Sequence, residues 1–264
     1  MFAQIKQKNP RVYLFIWHLL VSAMVALGVA FLVFWLWFPY PYGQMTRGLN
    51  LFLLIIAVDV VCGPLITLVL ANPKKSKREL MLDLSLVALI QFGALAYGMY
   101  KLEEARPVLI SFERDRMALI VKSEIDWQDI DNAPTELQKV PLVGVKHTGI
   151  RRAKSEAEFF ESVNLGMEGI EPSVRPSWWI AYSEVLSEVK EKMHSMNTID
   201  DSKLDTQQSN ILNKAIKKTG KTKDELFYLP FVSNQTKDWI VLLDSDANFV
   251  GYAHMNGYDL QNEK

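Results

Sequence analysis

A single cysteine, Cys62, occurs among 264 residues. One thiol cannot form an intramolecular disulfide, and no CxxC or Cys/His pattern with zinc spacing is present. The four histidines are as scarce. His147, His194 and His254 are scattered and lack metal-ligand spacing. The chain also lacks a Gly-x-Ser-x-Gly elbow and a phosphate-binding glycine loop, so the common hydrolase and nucleotide-binding signatures are missing. Charge of one sign is not in excess, since 29 basic and 30 acidic residues leave a net charge of −1. That balance provides no broad basic surface for nucleic acid. No cofactor is implied.

What is present is unevenly spread. Nearly all the apolar density precedes Lys101, and nearly all the acid follows it. The first hundred residues carry 8 basic and 3 acidic side chains, a net of +5. The remainder carries 21 and 27, a net of −6. Three apolar runs, at 12–38, 51–71 and 81–100, each approach the roughly 20 residues that span a bilayer's hydrocarbon. The expected class is α+β: a membrane domain of three transmembrane helices over 1–100, then a mixed α+β extracytoplasmic domain over 101–264. The first run exceeds a signal-peptide core and has no small-residue cleavage site before Phe38-Pro39-Tyr40-Pro41-Tyr42, so it reads as a retained span.

Basic residues near span ends set the orientation. Lys6, Lys8 and Arg11 precede the first span. Lys74, Lys75, Lys77 and Arg78 fill the second link, whereas Arg47 stands alone in the first. The amino terminus and second link are therefore expected in the cytoplasm. The part after Tyr100 is expected in the periplasm of a Gram-negative cell, with the protein multi-pass in the inner membrane. Trp35, Trp37, Tyr40, Tyr42, Tyr97 and Tyr100 fit an interfacial aromatic belt on the outer side.

Polar residues inside the runs stand out, because an ionisable group in a span is costly and marks more than anchoring. Asp59, Gly63 and Thr67 share one helical face, and so do Asp83, Val87 and Gln91. At about 1.5 Å per residue, Asp59 lies roughly 18 Å from the end of its helix near Ala71, and Gln91 roughly 15 Å from its own near Met81. Asp59 can thus meet Gln91. Asp83, about 3 Å in, belongs near the cytoplasmic surface. That mismatch disfavours an intramembrane aspartyl dyad, which needs its carboxylates close together, and no Gly-x-Gly-Asp motif accompanies them. Pro64 can kink the second span. Gly63, like the Ala94/Gly98 pair, allows close helix approach. Either internal packing or docking of a foreign helix would use such a face. His18, about 10 Å into the first span, reads as a packing or interface residue.

In the later part, 108–113 and 117–122 read as strands and 140–145 as a short one. Ser155 with Glu158 has capping-box spacing for a helix over 156–163. Trp178, Tyr182, Val185, Leu186, Val189 and Met193 predict an amphipathic helix over 177–194, with one ring of Trp178-Trp179 in the core and the other at a surface or membrane edge. Residues 197–208 read as loop and 209–219 as a helix ended by Gly220. Strands are expected at 228–232, 239–243 and 249–254, in a sheet of four or more. Asp244-Ser245-Asp246-Ala247-Asn248 resembles the start of a calcium loop. Phe249 replaces its glycine and Met255 its bidentate glutamate, so a hairpin turn is expected. Lys223-Asp224-Glu225-Leu226 is internal and is no retention signal.

The ordered set Val58-Asp59-Val60-Val61-Cys62-Gly63-Pro64-Leu65-Ile66-Thr67, Asn72-Pro73-Lys74-Lys75, Asp83-Leu84, Gln91, Tyr97-Gly98, Arg106-Pro107-Val108 and Phe112-Glu113-Arg114-Asp115-Arg116 resembles the TfpX/TfpZ family of type IV pilin accessory proteins. The resemblance is good over about residues 10–125 and loose beyond. It implies a non-catalytic inner-membrane chaperone or assembly factor, with a cognate type IV pilin and the lipid bilayer as partners. Asp59, Gly63, Pro64, Asp83, Gln91, Arg106 and Pro107 are the matching motif residues, and Thr67 joins them as a candidate for helix docking or structure. No catalytic residue carries over. The alternatives are a membrane-anchored sensor whose periplasmic domain binds a small ligand and, third, an intramembrane enzyme. A sensor would need an output device, for which the two short cytoplasmic stretches are too small. The pilin's identity, the assembly step and the oligomeric state are not encoded in any recognisable pattern.

Overall fold

The computed structural model describes residues 9–46, 48–72 and 75–260. Lys6, Lys8, Arg47, Pro73 and Lys74, used above for orientation or resemblance, lie outside them. The chain divides into two compact units, Met1–Arg106 and Pro107–Lys264.

The first unit contains three helices long and apolar enough to cross a membrane: α1 (Pro10–Trp37), α2 (Gly48–Leu70) and α3 (Lys77–Glu104). Pro10 opens α1 at a position where a missing N–H costs nothing. Ser76 caps α3 reciprocally with Glu79, since each side chain takes the other's backbone N–H. The third helix continues to Glu104, past the end expected at Tyr100. Apolar continuity stops there, but Lys101 to Glu104 are good helix formers. Helix α2 packs against both α1 and α3, whereas α1 and α3 make little contact with each other. Val33, Phe38, Phe52, Ile55 and Leu102 form the buried apolar cluster. Trp35, Tyr40, Tyr97 and Tyr100 are exposed, as belt residues must be, but Tyr42 is buried.

The second unit is a mixed sheet with helices. Its strands are β1 (Pro107–Glu113), β2 (Arg116–Val121), β3 (Lys146–Ile150), β4 (Trp179–Ala181), β5 (His194–Ser195), β6 (Phe227–Ser233), β7 (Trp239–Leu243) and β8 (Phe249–Ala253). Their order is β4-β3-β1-β2-β6-β7-β8, with β5 paired to β6. The β1/β3 and β2/β6 pairs are parallel and the others antiparallel. Strands β1 and β7 are buried throughout, which explains why they read as continuous apolar runs rather than alternating ones. The helices are α4 (Glu156–Met167), α5 (Tyr182–Lys192) and α6 (Thr206–Thr219). One apolar cluster joins Leu212 and Ala215 of α6 to Tyr228, Ile240 and Leu242. Another gathers Val108, Leu109, Ile120, Leu137 and Trp179. The sheet curls enough that Tyr182 Oη donates to the Ala247 carbonyl at 3.1 Å, and the His147 ring lies 4.2 Å from Phe249.

Several local expectations need correction. Residues 140–145 form no strand; the strand is Lys146–Ile150, whose buried Thr148 and Gly149 make it look polar. The helix expected over 177–194 is confined to Tyr182–Lys192, because Pro176–Trp178 form a tight turn and Trp179–Ala181 pair with β3. Both Trp178 and Trp179 are buried, so neither ring sits at a surface. Trp178 is stacked between the Arg151 and Arg175 guanidinium groups, at 4.6 and 4.7 Å. The 197–208 stretch holds two short turns and the first residues of α6, which Asp205 and Gln208 cap reciprocally. Gly220 ends α6 in the left-handed region, at φ 71°.

Candidate functional site

The polar residues of the first unit gather around the middle of α2. From Ala57 to Cys62 this helix follows the wider i→i+5 pattern before Gly63 and Pro64 return it to α geometry. In that pattern the carbonyl of Asp59 would look to residue 64, and proline has no N–H to give. The side-chain amide of Gln91 on α3 donates to it instead, at 3.1 Å. Gly63 makes the approach possible, because a Cβ there would lie 1.9 Å from Gln91 Nε2. Asp59 and Gln91 therefore meet, but through the Asp59 backbone and not its carboxylate.

Further along the same face, Thr67 is 1% exposed, and its hydroxyl shares a 2.6 Å hydrogen bond with His18 Nδ1 of α1. At the helix ends, Arg11 Nη2 donates to Asn72 Oδ1 at 3.0 Å. Gly98 receives Ile55, since a Cβ would fall 2.7 Å from that side chain. Gly63, Thr67 and Gly98 are thus taken up by contacts inside the helical unit.

The Asp59 carboxyl group differs. The residue is only 8% exposed, and its Oδ1 accepts no hydrogen bond among the described residues. It lines a groove of about 160 Å³, together with His18, Ser22 and Gln91 among otherwise apolar side chains of all three helices. Asp83 lies apart, at the start of α3, and pairs with Lys75 at 2.5 Å with both side chains 32% exposed. Arg106 is buried and bonds Glu103 Oε1 at 3.1 Å through Nε. Pro107 is the first residue of β1.

Residue type marks His18 as a packing or interface residue but does not name Thr67 as its partner, and it does not single out Ser22 in the groove. Depth would have paired His18 with Thr67: His18 lies about 10 Å into α1, and Thr67 about 6 Å from the far end of α2.

The second unit carries its own charged cluster at the β1–β2 turn. Glu113 is 2% exposed. Its Oε2 accepts from Ser173 Oγ at 3.2 Å and from Arg116 Nη2 at 3.4 Å, and Arg116 also lies 3.5 Å from Glu171. Burial pushes the Glu113 carboxyl above the usual carboxylate range, and the Arg116 charge opposes that shift. On α4, only Ser162 is buried; Phe159, Phe160, Val163 and Met167 are exposed. Among the described residues, no three His, Cys, Asp or Glu side chains stand close enough to hold a metal ion. What the arrangement offers is apolar surface, hydrogen-bond acceptors and ion pairs.

Three apolar helices followed by a mixed sheet, with a polar centre in the helical part, define a membrane-associated protein. Comparison with known sequences gives the family. A profile for fimbrial assembly protein FimB matches residues 6–47. The chain is 35% identical over 243 residues to the fimbrial assembly protein of Dichelobacter nodosus serogroup E1, covering 92% of this chain and 94% of that one. It is 34% identical, with the same coverage, to the serogroup I protein. To the protein of serogroups C1 and C2 it is 41% identical over 116 residues, which are 44% of this chain and 88% of the relative. The chain belongs to this family of fimbrial assembly proteins. No solved structure matches it.

Proposed function

We propose that this protein is a non-catalytic accessory factor for type IV pilus biogenesis, of the TfpX/TfpZ kind, that assists a cognate pilin in the inner membrane. The observation that carries the reading is the similarity to fimbrial assembly proteins over nearly the whole chain, both units included. A membrane part with a buried carboxyl group is what a protein that handles other membrane helices would use. The amino terminus and the second link are cytoplasmic, as their basic residues favour. The sheet unit is then periplasmic. The three-helix unit contacts the pilin's apolar helix and the sheet unit its globular head. The exposed Phe159, Phe160 and Met167 of α4 suit the second contact.

The test is genetic. In cells lacking the protein, total pilin is expected to remain while surface pilin falls, with recovery when the chain is restored. Unchanged surface pilin in its absence would reject the role.

A further inference from the structure

We propose that the groove between α1 and α3 receives the apolar transmembrane helix of the pilin, and that Asp59 Oδ1 accepts a hydrogen bond from a hydroxyl or amide side chain of that helix. The inference rests on the pilin reading above and specifies where and by what chemistry the membrane contact is made.

Three observations carry it. First, Asp59 is more than nine-tenths buried, yet its Oδ1 has no partner among the described residues, and a buried acceptor left unpaired is costly. Second, Gln91 donates to the Asp59 carbonyl and His18 bonds Thr67, and Ser22, the third polar side chain of the groove, makes no hydrogen bond to Asp59 Oδ1. A donor from a docked helix would complete Asp59. Third, the groove is open where a helix would enter. Helices α1 and α3 flank it with little contact between them, α2 supplies its floor through Ile56 and Asp59, and its rim is apolar, with Phe92 70% and Val25 41% exposed.

Size and chemistry narrow the occupant. The recess of about 160 Å³ at Asp59 admits a side chain from a helix lying across it, not the helix itself. An acyl chain has no donor to offer. A neutral hydroxyl or amide can be carried on a membrane helix far more cheaply than a charge. It also bonds a carboxyl oxygen whichever of the two protonation states that group holds.

The test is photo-crosslinking of the full chain in its own membranes, with the probe at Phe92 or Val25 and a control probe at the outward-facing Leu89. Crosslinks to pilin are expected from both groove positions and not from the control. At equal protein level, Asp59→Leu and Asp59→Ala should each cut them at least tenfold. Asp59→Asn, which keeps an acceptor oxygen, should stay within threefold. Undiminished crosslinking in both Asp59→Leu and Asp59→Ala would overturn the hydrogen bond. If pilin co-purifies with the chain but no groove probe reaches it, the site is wrong and the pilin reading stands. Crosslinks only to a second copy of this chain, or only to lipid, overturn the inference equally. Failure of pilin to co-purify at all would remove the reading beneath it.

Discussion

Gln91 Nε2 stands 3.1 Å from the backbone carbonyl of Asp59, on the helix stretch whose next proline, Pro64, cannot serve that carbonyl. A side chain on α3 thereby repairs a break in α2 and fixes the two helices at one depth and one rotation. Gly63 is the condition for the repair, since any larger residue occupies the space of the amide. The same constraint holds the Asp59 side chain against the groove.

The first prediction concerns this pair. Gly63→Ala should destabilise the full chain by about 1–3 kcal/mol, as overpacking does. Gln91→Met, which keeps length but loses the donor, should cost about 0.6–2 kcal/mol, the range of hydrogen bonds within membranes. Gly63→Ala combined with Gln91→Ala should cost less than the sum of Gly63→Ala and Gln91→Ala measured singly, because the clash disappears with the amide. Denaturation in mixed micelles measures all of these, and strict additivity would refute the contact.

A second prediction is a pH effect in the sheet unit. Glu158 accepts a forked pair of bonds from Arg151, at 2.7 and 3.1 Å, and a further one from the Lys154 N–H. The Arg151 bonds foremost, then the Lys154 N–H, hold its carboxyl down at about 2, against an ordinary value of 4.5. A lowered carboxylate contributes stability that is complete above the ordinary value and disappears as pH falls through the folded one. The wild-type denaturation midpoint should therefore fall between about pH 5 and pH 2 by more than that of Glu158→Gln, and the two should converge at the acid end. Parallel curves across that window would show that the fork does not stabilise the fold.

The third prediction addresses Asp244. Its Oδ1 accepts the Asp246 and Asn248 N–H groups, so the carboxylate adds to the backbone bonds among Asp244, Ala247 and Asn248 that close the β7–β8 turn. Asp244→Ala should lower the melting temperature by a few degrees, corresponding to about 1 kcal/mol. Chelation should leave the melting temperature of the unaltered protein where it is. A drop on chelation that calcium restores would show the turn to be an ion site.

Much of this was legible in the residues. Three long apolar runs announced three helices long and apolar enough to cross a membrane, and depth arithmetic alone paired Asp59 with Gln91. The mode of contact was not legible, because it depends on the i→i+5 winding before Pro64, which composition does not reveal. In the sheet unit, β1, β2, β6, β7 and β8 were plain from their apolar runs. Strand β3 was not, since Thr148 and Gly149 in Lys146–Ile150 are buried by tertiary packing, not by their own hydrophobicity. Residues 177–181 carried helical spacing, yet Pro176 and the pairing of β4 with β3 took them out of the helix. At Ser155, the cap forms on the Glu158 N–H, but the Glu158 side chain turns to Arg151 and Lys154 instead of completing the box. A competing cation decided it.

Orientation supplies the fourth prediction. On the proposed orientation, alkaline phosphatase joined after Tyr100 or at Lys264 should be active, and joined after Lys77 inactive, because basic residues favour the cytoplasmic side. The reverse pattern would place the sheet unit on the side where it cannot meet a pilin head.

The central claim is that this protein handles pilin by direct contact. Its most direct test is affinity purification of the full chain from membranes of piliated cells in mild detergent, with the recovered pilin quantified against the chain. The account predicts that pilin is recovered with the wild-type chain and falls at least tenfold with Asp59→Leu at equal chain recovery. Absence of pilin from the wild-type preparation, in cells that assemble pili normally, would contradict it.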